Sequence, residues 1–149
     1  LVIGGWDGYD LEVIKEKAMA QYVSADAAAL SAELAATGHV AVYGITFEGD
    51  KADLRPEAKA AIAEVAKLLK QTPSLKLFVV GHTANVGDVE SGLMLSQARA
   101  AAVVKALTTE HGIAADRLKP YGAGPYCPVA SNATEEGRAR NRRVELVQQ

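Results

Sequence analysis

Arg99 is the residue of this sequence best suited to hold a ligand. Leu95, Val103 and Leu107 fall on its side of a predicted helix, because the four residues are spaced at intervals of four. Arg99 therefore lies along the edge of an apolar stripe, where an unpaired charge is costly and a fixed partner is expected. Its planar guanidinium suits a carboxylate. That carboxylate belongs either to a ligand or to an internal Asp or Glu, and a side chain that simply snorkels to solvent is the third interpretation.

A loop with two glycines precedes this helix. It reads Gly81-His82-Thr83-Ala84-Asn85-Val86-Gly87 and follows the second predicted strand. Ligands of open α/β sheets tend to lie beyond the carboxyl ends of strands, and glycine permits tight turns or close approach to a ligand. Gly92 lies two turns before Arg99 on nearly the same side of the helix. The loop and the helix start are therefore expected to bracket a shallow cleft into which Arg99 reaches.

Four arginines cluster near the C-terminus, and two interpretations of them stay open. They are Arg138, Arg140, Arg142 and Arg143. A basic cluster can form an anion or nucleic-acid patch. The alternative, which we favour, is a solvated turn that leads into a strand, since no aromatic residues are interleaved for base stacking.

The remaining candidate groups do not form a catalytic or metal-binding arrangement. His39, His82 and His111 lack metal-ligand spacing. His82 is interpreted as a strand-end residue held by hydrogen bonds, with a residue of the cleft as the alternative. Cys127 has neither a base nor an orienting group assigned to it. We therefore predict no catalytic residue, no metal ligand and no cofactor.

Composition narrows the class of protein. The 149 residues are 49% hydrophobic and 23% charged, which is typical of a globular domain and not of a disordered chain. No apolar run approaches the roughly 18–20 residues that a membrane-spanning helix needs. The net charge of −2 argues against binding to a phosphate backbone.

Hydrophobic periodicity predicts a β-α-β-α-β-β order after residue 38. Right-handed crossovers would place both main helices on one face of a mixed sheet. The fold class is therefore α/β or α+β, a βαβαββ-type mixed sheet with an N-terminal arm. The predicted strands are 40–47, 75–80, 118–122 and one around Val144 and Leu146, the predicted helices are 56–70 and 89–110, and 123–136 is a predicted loop.

Residues 1–37 differ in character from the rest and are separated here as an arm, with the domain at 38–149. The arm opens with a glycine-rich aromatic stretch and leaves 11–22 ambiguous between helix and strand. A helix is predicted over 25–36, with Ser24 as its N-cap and Gly38 as its stop. The arm is interpreted as a linker, part of an upstream region or a dimerisation element.

Several motifs in a fixed order resemble one known family. They are Gly81-His82-Thr83, Leu95-Ser96-Gln97-Ala98-Arg99-Ala100, Gly122-Ala123-Gly124, Pro128-Val129-Ala130-Ser131-Asn132 and Gly137-Arg138-Ala139-Arg140-Asn141-Arg142-Arg143-Val144-Glu145. From about Tyr43 to Leu146 the chain is similar to the OmpA-like C-terminal domain, whose family includes the peptidoglycan-associated lipoprotein and the flagellar stator protein MotB. The resemblance implies a periplasmic domain of a Gram-negative bacterium that binds peptidoglycan non-covalently.

The resemblance also implies the ligand and the residues that hold it. In the family the ligand is diaminopimelate of the stem peptide, whose amine and carboxylate are met by an acid directly after the Gly-His-Thr run and by an arginine of the long helix. Arg99 matches the arginine and is assigned the ligand carboxylate. Thr83 is expected to offer backbone or hydroxyl contacts, and Leu95 an apolar wall.

Two positions depart from the family pattern. Ala84 stands where the family has its acid, and Gly92 stands where it has an asparagine. Loss of one partner of a desolvated charge pair typically costs about 2–5 kcal/mol. Three explanations stay open. The domain is a natural variant with weak or altered binding, its acid is supplied by Asp88, Glu90 or Asp50, or both changes are deliberate substitutions. Asp50 is included in the predicted site because it follows the first strand toward the same end of the sheet.

The sequence thus predicts a non-enzymatic module that tethers an outer-membrane or envelope protein to the cell wall. Its predicted ligand-binding residues are Arg99, Thr83, Ala84, Leu95, Gly92 and Asp50. The alternative is a structural or protein-interaction domain of the periplasm that no longer binds peptidoglycan. Paired carboxylates, a zinc set or an activated nucleophile would be needed for an enzyme, and nucleic acid is not an expected partner.

Overall fold

The computed structural model describes residues 26–149 of the chain. Helices and strands alternate along it. In chain order the elements are α1 (Ala27–Thr37), β1 (His39–Val42), α2 (Ala58–Gln71), β2 (Leu77–His82), α3 (Val89–His111), a 3-10 turn (Ala115–Arg117), β3 (Leu118–Gly124), α4 (Glu135–Asn141) and β4 (Arg143–Gln148). Residues 1–25 lie outside this range, and with them the segment 11–22, which the sequence leaves ambiguous between helix and strand.

The four strands form one mixed sheet in the order β1-β4-β2-β3. Strand β4 is antiparallel to both of its neighbours, while β2 and β3 are parallel to each other. A parallel pair needs a crossover connection, and α3 supplies it between β2 and β3. The predicted mixed sheet is confirmed.

One face of the sheet carries the hydrophobic core. Alternate strand residues such as Val42, Val79 and Leu146 are fully buried against the helices. The apolar side chains of α2 and α3 belong to the same core cluster, which confirms that both main helices lie on one face. Leu30 and Leu34 of α1 join this cluster, while the boundary between arm and domain at residue 38 stays a prediction.

Glycines let α3 approach the sheet closely, and this contact fixes the position of Arg99 relative to the sheet. A Cβ atom on Gly81 would come within 2.3 Å of the Ser96 backbone oxygen, and one on Gly122 within 2.4 Å of the Gln97 nitrogen. The Ser96 hydroxyl, which is fully buried, accepts a hydrogen bond from the Gly124 N–H at 2.9 Å. The helix is therefore clamped on β2 and β3 one turn before Arg99.

The structure differs from the sequence-based assignment at the C-terminal connection, where α4 was not predicted. Thr134 is its N-cap, with the side chain accepting a hydrogen bond from the Gly137 N–H at 3.0 Å. Glu135 and Glu136 occupy the first turn and arginines the last, which complements the helix dipole. This capping pattern was present in the sequence, but the segment is only seven residues long and polar.

Two smaller corrections concern element ends. The N-cap of α1 is Asp26 rather than Ser24, because the Asp26 carboxylate accepts the Ala29 N–H at 2.8 Å. The predicted first strand over 40–47 ends at Val42, and Phe47 instead pairs with Leu54 in an isolated antiparallel bridge. No helix within residues 26–149 is both long and apolar enough to cross a membrane.

Candidate functional site

Arg99 is buried and held by backbone oxygens. Its Nε donates to the Lys51 carbonyl at 2.9 Å and its Nη2 donates to the Gly49 carbonyl at 2.7 Å. The guanidinium carbon also lies 4.9 Å from the centre of the Phe47 ring, within the range of a cation–π contact. The side chain is therefore fixed in place by the loop that follows β1. The residue as a whole is only 8% exposed.

No carboxylate of residues 26–149 forms an ion pair with Arg99. The sequence analysis left an internal Asp or Glu open as the partner of Arg99. Within the described residues, its hydrogen-bond partners are instead two backbone carbonyls. Nη1 makes no hydrogen bond to the described residues and is not fully buried. Carbonyls do not neutralise charge, so a positive guanidinium remains available at this site.

The electrostatic surroundings of Arg99 agree with that picture. Burial lowers its pKa, the negative charge of Asp50 raises it, and the positive charge of Arg142 lowers it again. Arginine stays protonated in proteins despite such shifts. The site therefore presents a charged group in a partly desolvated position, where an incoming carboxylate is attracted more strongly than it is at the open surface.

An open hollow of about 630 Å³ lies in front of Arg99 and is called here the Arg99 hollow. It brings together all six residues of the predicted site. These are Arg99, Thr83, Ala84, Leu95, Gly92 and Asp50. Its other walls come from the loop that follows β1, the loop before α3, the first turn of α3, and α4 with the residue after it, namely Gly49, Val86, Gly87, Asp88, Ser91, Glu135, Arg138 and Arg142.

One polar atom in the wall of the Arg99 hollow is buried without a hydrogen-bond partner in residues 26–149. The Thr83 hydroxyl oxygen is buried and makes no hydrogen bond to residues 26–149. It would lie 3.1 Å from a Cβ atom placed on Gly92. A side chain at position 92 would therefore press on Thr83 unless the threonine moved by a few tenths of an ångström. A buried hydroxyl of this kind normally has a partner, which a ligand or water can supply.

The three acids named as substitutes for Ala84 differ in position. Asp50 and Asp88 line the Arg99 hollow, whereas Glu90 does not. Asp88 is the N-cap of α3 and accepts hydrogen bonds from the Ser91 N–H at 3.1 Å and the Ser91 hydroxyl at 2.9 Å, which lower the pKa of Asp88. Asp50 makes neither a hydrogen bond nor an ion pair to the described residues. Its carboxylate is thus the more available of the two.

The arginine cluster near the C-terminus is divided by α4 and β4, and its role in the hollow was missed from the sequence. Arg138 donates to Glu135 at 3.0 Å and to the Asn132 carbonyl at 2.9 Å, while Arg142 donates to Glu135 at 2.5 Å. These bonds lower the pKa of Glu135. Arg143, by contrast, is buried and belongs to β4. The spacing alone gave no sign of this division, because it depends on the short helix.

Two asparagines, also missed, tie the walls together. The amide of Asn141, which is 1% exposed, donates to the Asn132 side-chain oxygen at 2.9 Å. The same oxygen accepts the Asn85 N–H at 3.1 Å. The loop that carries Ala84 is therefore held to the connection between β3 and α4. Within residues 26–149 no set of three His, Cys, Asp or Glu side chains is placed to hold a metal ion.

Comparison with known proteins places the chain in a family. The model of the OmpA family matches residues 46–142, which include the loop, the long helix and the C-terminal arginines. The chain belongs to the OmpA family. This membership confirms the resemblance that the sequence motifs indicated.

Relatives and solved structures agree with the assignment. The chain is 41% identical over 102 residues to the probable lipoprotein YiaD of Escherichia coli K12, covering 68% of this chain and 46% of that protein. It is 41% identical over 103 residues to the peptidoglycan-binding protein ArfA of Mycobacterium bovis, covering 69% of this chain and 31% of ArfA. The chain thus spans less than half the length of either relative.

Among solved structures, the peptidoglycan-associated lipoprotein of Burkholderia pseudomallei superposes with a TM-score of 0.62 at 30% identity. The superposition covers 76% of this chain and 92% of that one. The mixed sheet with its helices is therefore the architecture of a known OmpA-like domain.

Proposed function

We propose that this domain binds peptidoglycan non-covalently through diaminopimelate of the stem peptide. The observation that carries the proposal is Arg99, a buried guanidinium without an acidic partner in residues 26–149, held at an open hollow. The names of two similar proteins, the peptidoglycan-binding ArfA and the peptidoglycan-associated lipoprotein, support peptidoglycan as the binding partner.

Each wall of the Arg99 hollow has a task in this proposal. The free end of diaminopimelate carries one carboxylate and one amine. Arg99 receives the carboxylate through Nη1, and its bonds to two carbonyls keep the fork oriented before the ligand arrives. Leu95 covers the methylene chain, and the unpartnered Thr83 hydroxyl hydrogen-bonds the polar end of the ligand.

The ligand amine has the weakest recognition. Ala84 supplies no charge at the place where the family has its acid, and Gly92 supplies no side-chain hydrogen bond. Asp50 is the acid that takes over, because it lines the hollow and its carboxylate forms neither a hydrogen bond nor an ion pair with the described residues. Binding is consequently weaker than in a domain with an acid at position 84, by about 2–5 kcal/mol if Asp50 compensates for none of the loss.

The cellular role follows from the ligand. Peptidoglycan lies in the periplasm of Gram-negative bacteria, so the domain acts there as a tether between the cell wall and an outer-membrane or envelope protein. The task is binding and not catalysis, since it requires only that the hollow hold one end of a wall peptide.

The test compares wall material that differs in one carboxylate. Purified peptidoglycan with diaminopimelate at the third stem position is compared with peptidoglycan that has lysine there, because lysine lacks the side-chain carboxylate. Co-sedimentation is expected to show at least about tenfold tighter binding to the first material. Arg99→Gln is expected to abolish that difference, whereas equal binding of the unaltered chain to both materials contradicts the proposal.

A second function is favoured by one observation, the absence of an acid at position 84. On this alternative the domain is a structural or protein-interaction module of the periplasm that no longer binds the wall. It predicts that the unaltered chain and Arg99→Gln sediment equally little with either peptidoglycan.

A further inference from the structure

A second hollow, of about 320 Å³, lies on the other side of Arg99 and is called here the arginine hollow. Four arginines line it, Arg55, Arg99, Arg142 and Arg143. His82 is a fifth basic residue in its wall, and none of the described residues that line it is acidic. The remaining walls are Tyr43, Ile45, Thr46, Phe47, Gly49 and Ala139.

The acids that pair with these arginines stand outside the arginine hollow. Arg143 donates from Nε to Glu145 at 2.6 Å, on the sheet, and its Nη1 and Nη2 donate to the carbonyls of Asn141 and Cys127, so it contributes charge to the hollow but no free donor. Arg142 reaches Glu135 on the exposed side of α4. Arg55 is 3.9 Å from Glu48, and both side chains are about half exposed, so that pair is weak. Arg99 forms no ion pair within residues 26–149, although the negative charge of Asp50 acts on it.

Like charges act on one another across this space. The positive charge of Arg142 contributes to lowering the pKa of Arg99, and that of Arg143 contributes to lowering the pKa of His82. Repulsion of this kind is unfavourable in the empty hollow and is relieved when an anion enters. Arginine, with its planar fork, is the cation best matched to a carboxylate.

His82 gives a second, independent indication of a ligand. The residue is 7% exposed, and its Nδ1 atom is buried without a hydrogen-bond partner in residues 26–149. Burial is the main cause that lowers its pKa to about 4, so the ring is neutral near pH 7. The Nε2 atom lies 3.4 Å from a Glu145 oxygen. With the single ring proton on that side, Nδ1 is a buried acceptor without a partner among the described residues, and a ligand N–H that reached it would satisfy it.

We propose that the arginine hollow binds a second carboxylate of the wall peptide, borne by the residue that adjoins the diaminopimelate. The inference rests on the proposed function, because the Arg99 hollow must hold the diaminopimelate first. Gly49, Arg99 and Arg142 line both hollows, so the two spaces are neighbours. A γ-linked glutamyl residue offers both groups, an α-carboxylate that Arg55 and Arg142 can receive and an N–H for His82.

The experiment uses two synthetic tripeptides, L-alanyl-γ-D-glutamyl-diaminopimelate with the glutamyl α-carboxylate either free or amidated. Isothermal titration of the full chain is expected to show about tenfold weaker binding of the amidated peptide. Arg55→Gln removes a charge that lines the arginine hollow but not the Arg99 hollow. This substitution is expected to weaken binding of the free-carboxylate peptide several-fold and to leave binding of the amidated peptide unchanged.

Matched controls separate a lost contact from a damaged loop. Arg140→Gln removes an arginine of α4 that lines neither hollow, and it should leave both affinities unchanged. Arg55 also donates from Nε to the Phe47 carbonyl at 2.9 Å, so Arg55→Gln is titrated with free diaminopimelate as well. Unchanged binding of that amino acid shows that the Arg99 hollow is intact.

The outcomes are distinguishable. Equal affinity of the unaltered chain for the two peptides overturns the second carboxylate site while leaving the proposed function in place. Failure of both peptides and of free diaminopimelate to bind overturns the proposed function and the inference together. Inorganic phosphate that competes with the free-carboxylate peptide at micromolar concentration would show a general anion site and would also overturn the inference.

Discussion

Arg99 and Arg117 are bonded to the protein in nearly the same way, yet they stand in different surroundings. Arg117 donates from Nε to the Leu75 carbonyl at 3.1 Å and from Nη2 to the carbonyls of Leu69 and Thr72 at 2.8 and 2.9 Å. Arg99 likewise uses Nε and Nη2 for backbone carbonyls. Neither has a carboxylate partner in residues 26–149.

The difference lies in what each guanidinium serves. Arg117 caps the end of α2, whose last carbonyls have no intrahelical partner and carry the negative end of the helix dipole. Arg99 holds the loop that follows β1, and it faces two hollows. Hydrogen bonds to the backbone therefore do not by themselves mark a structural arginine, and the open space in front of the remaining donors decides the interpretation.

The largest expected effect separates the two arginines by ligand binding. Arg99→Ala is expected to reduce affinity for diaminopimelate-type peptidoglycan by about a hundredfold, because a charged contact worth about 2–5 kcal/mol is lost. Arg117→Ala should leave that affinity unchanged. Both are measured by co-sedimentation at a temperature where circular dichroism shows each variant folded, and a similar loss in both variants would remove the distinction.

A gain of binding sharpens the same comparison. Ala84→Asp places an acid in the hollow beside Arg99 and is expected to raise affinity for free diaminopimelate by about tenfold to a hundredfold, or ~1.4–2.8 kcal/mol. Ala84→Asn has nearly the same size without the charge and should give little gain. Isothermal titration of the two variants decides, and equal gains would mean that polarity rather than charge is missing.

For stability the order of the two arginines is expected to be reversed, with the larger loss of unfolding free energy at Arg117. Arg117→Ala leaves three backbone carbonyls without their donor and should lower the free energy of unfolding by about 2 kcal/mol. Arg99→Ala affects two carbonyls of an exposed loop, which water can reach, and should cost about 1 kcal/mol. Urea denaturation measures both, and a larger loss for Arg99→Ala would contradict the division.

The effect of pH involves neither arginine, because neither guanidinium loses its proton. The pKa of His82 falls from 6.5 to about 4 on folding, so the unfolded chain binds more protons between those values. Stability should therefore decrease as the pH falls through this window, by at most about 1.4 kcal/mol per pH unit from this residue. His82→Gln should flatten the decline seen by urea denaturation, whereas His111→Gln should not.

The sequence was informative where a pattern is local. Spacing at intervals of four placed Arg99 on the long helix, and the Gly81–Gly87 loop indicated the edge at which the cleft lies. The partners of Arg99 were not predictable, because the carbonyls of Gly49 and Lys51 have no side-chain signature. The arginine hollow was missed for a related reason. Its walls come from the β1 to α2 connection, from the α4 to β4 region and from single residues of β2 and α3, which meet only in the folded chain.

The most direct test of the account is a crystal structure of the chain with a diaminopimelate-containing tripeptide. The account predicts a diaminopimelate carboxylate oxygen at about 2.7–2.9 Å from the Arg99 guanidinium, with the bonds to Gly49 and Lys51 preserved. A peptide bound elsewhere on the surface, with the Arg99 hollow filled only by water, would contradict it.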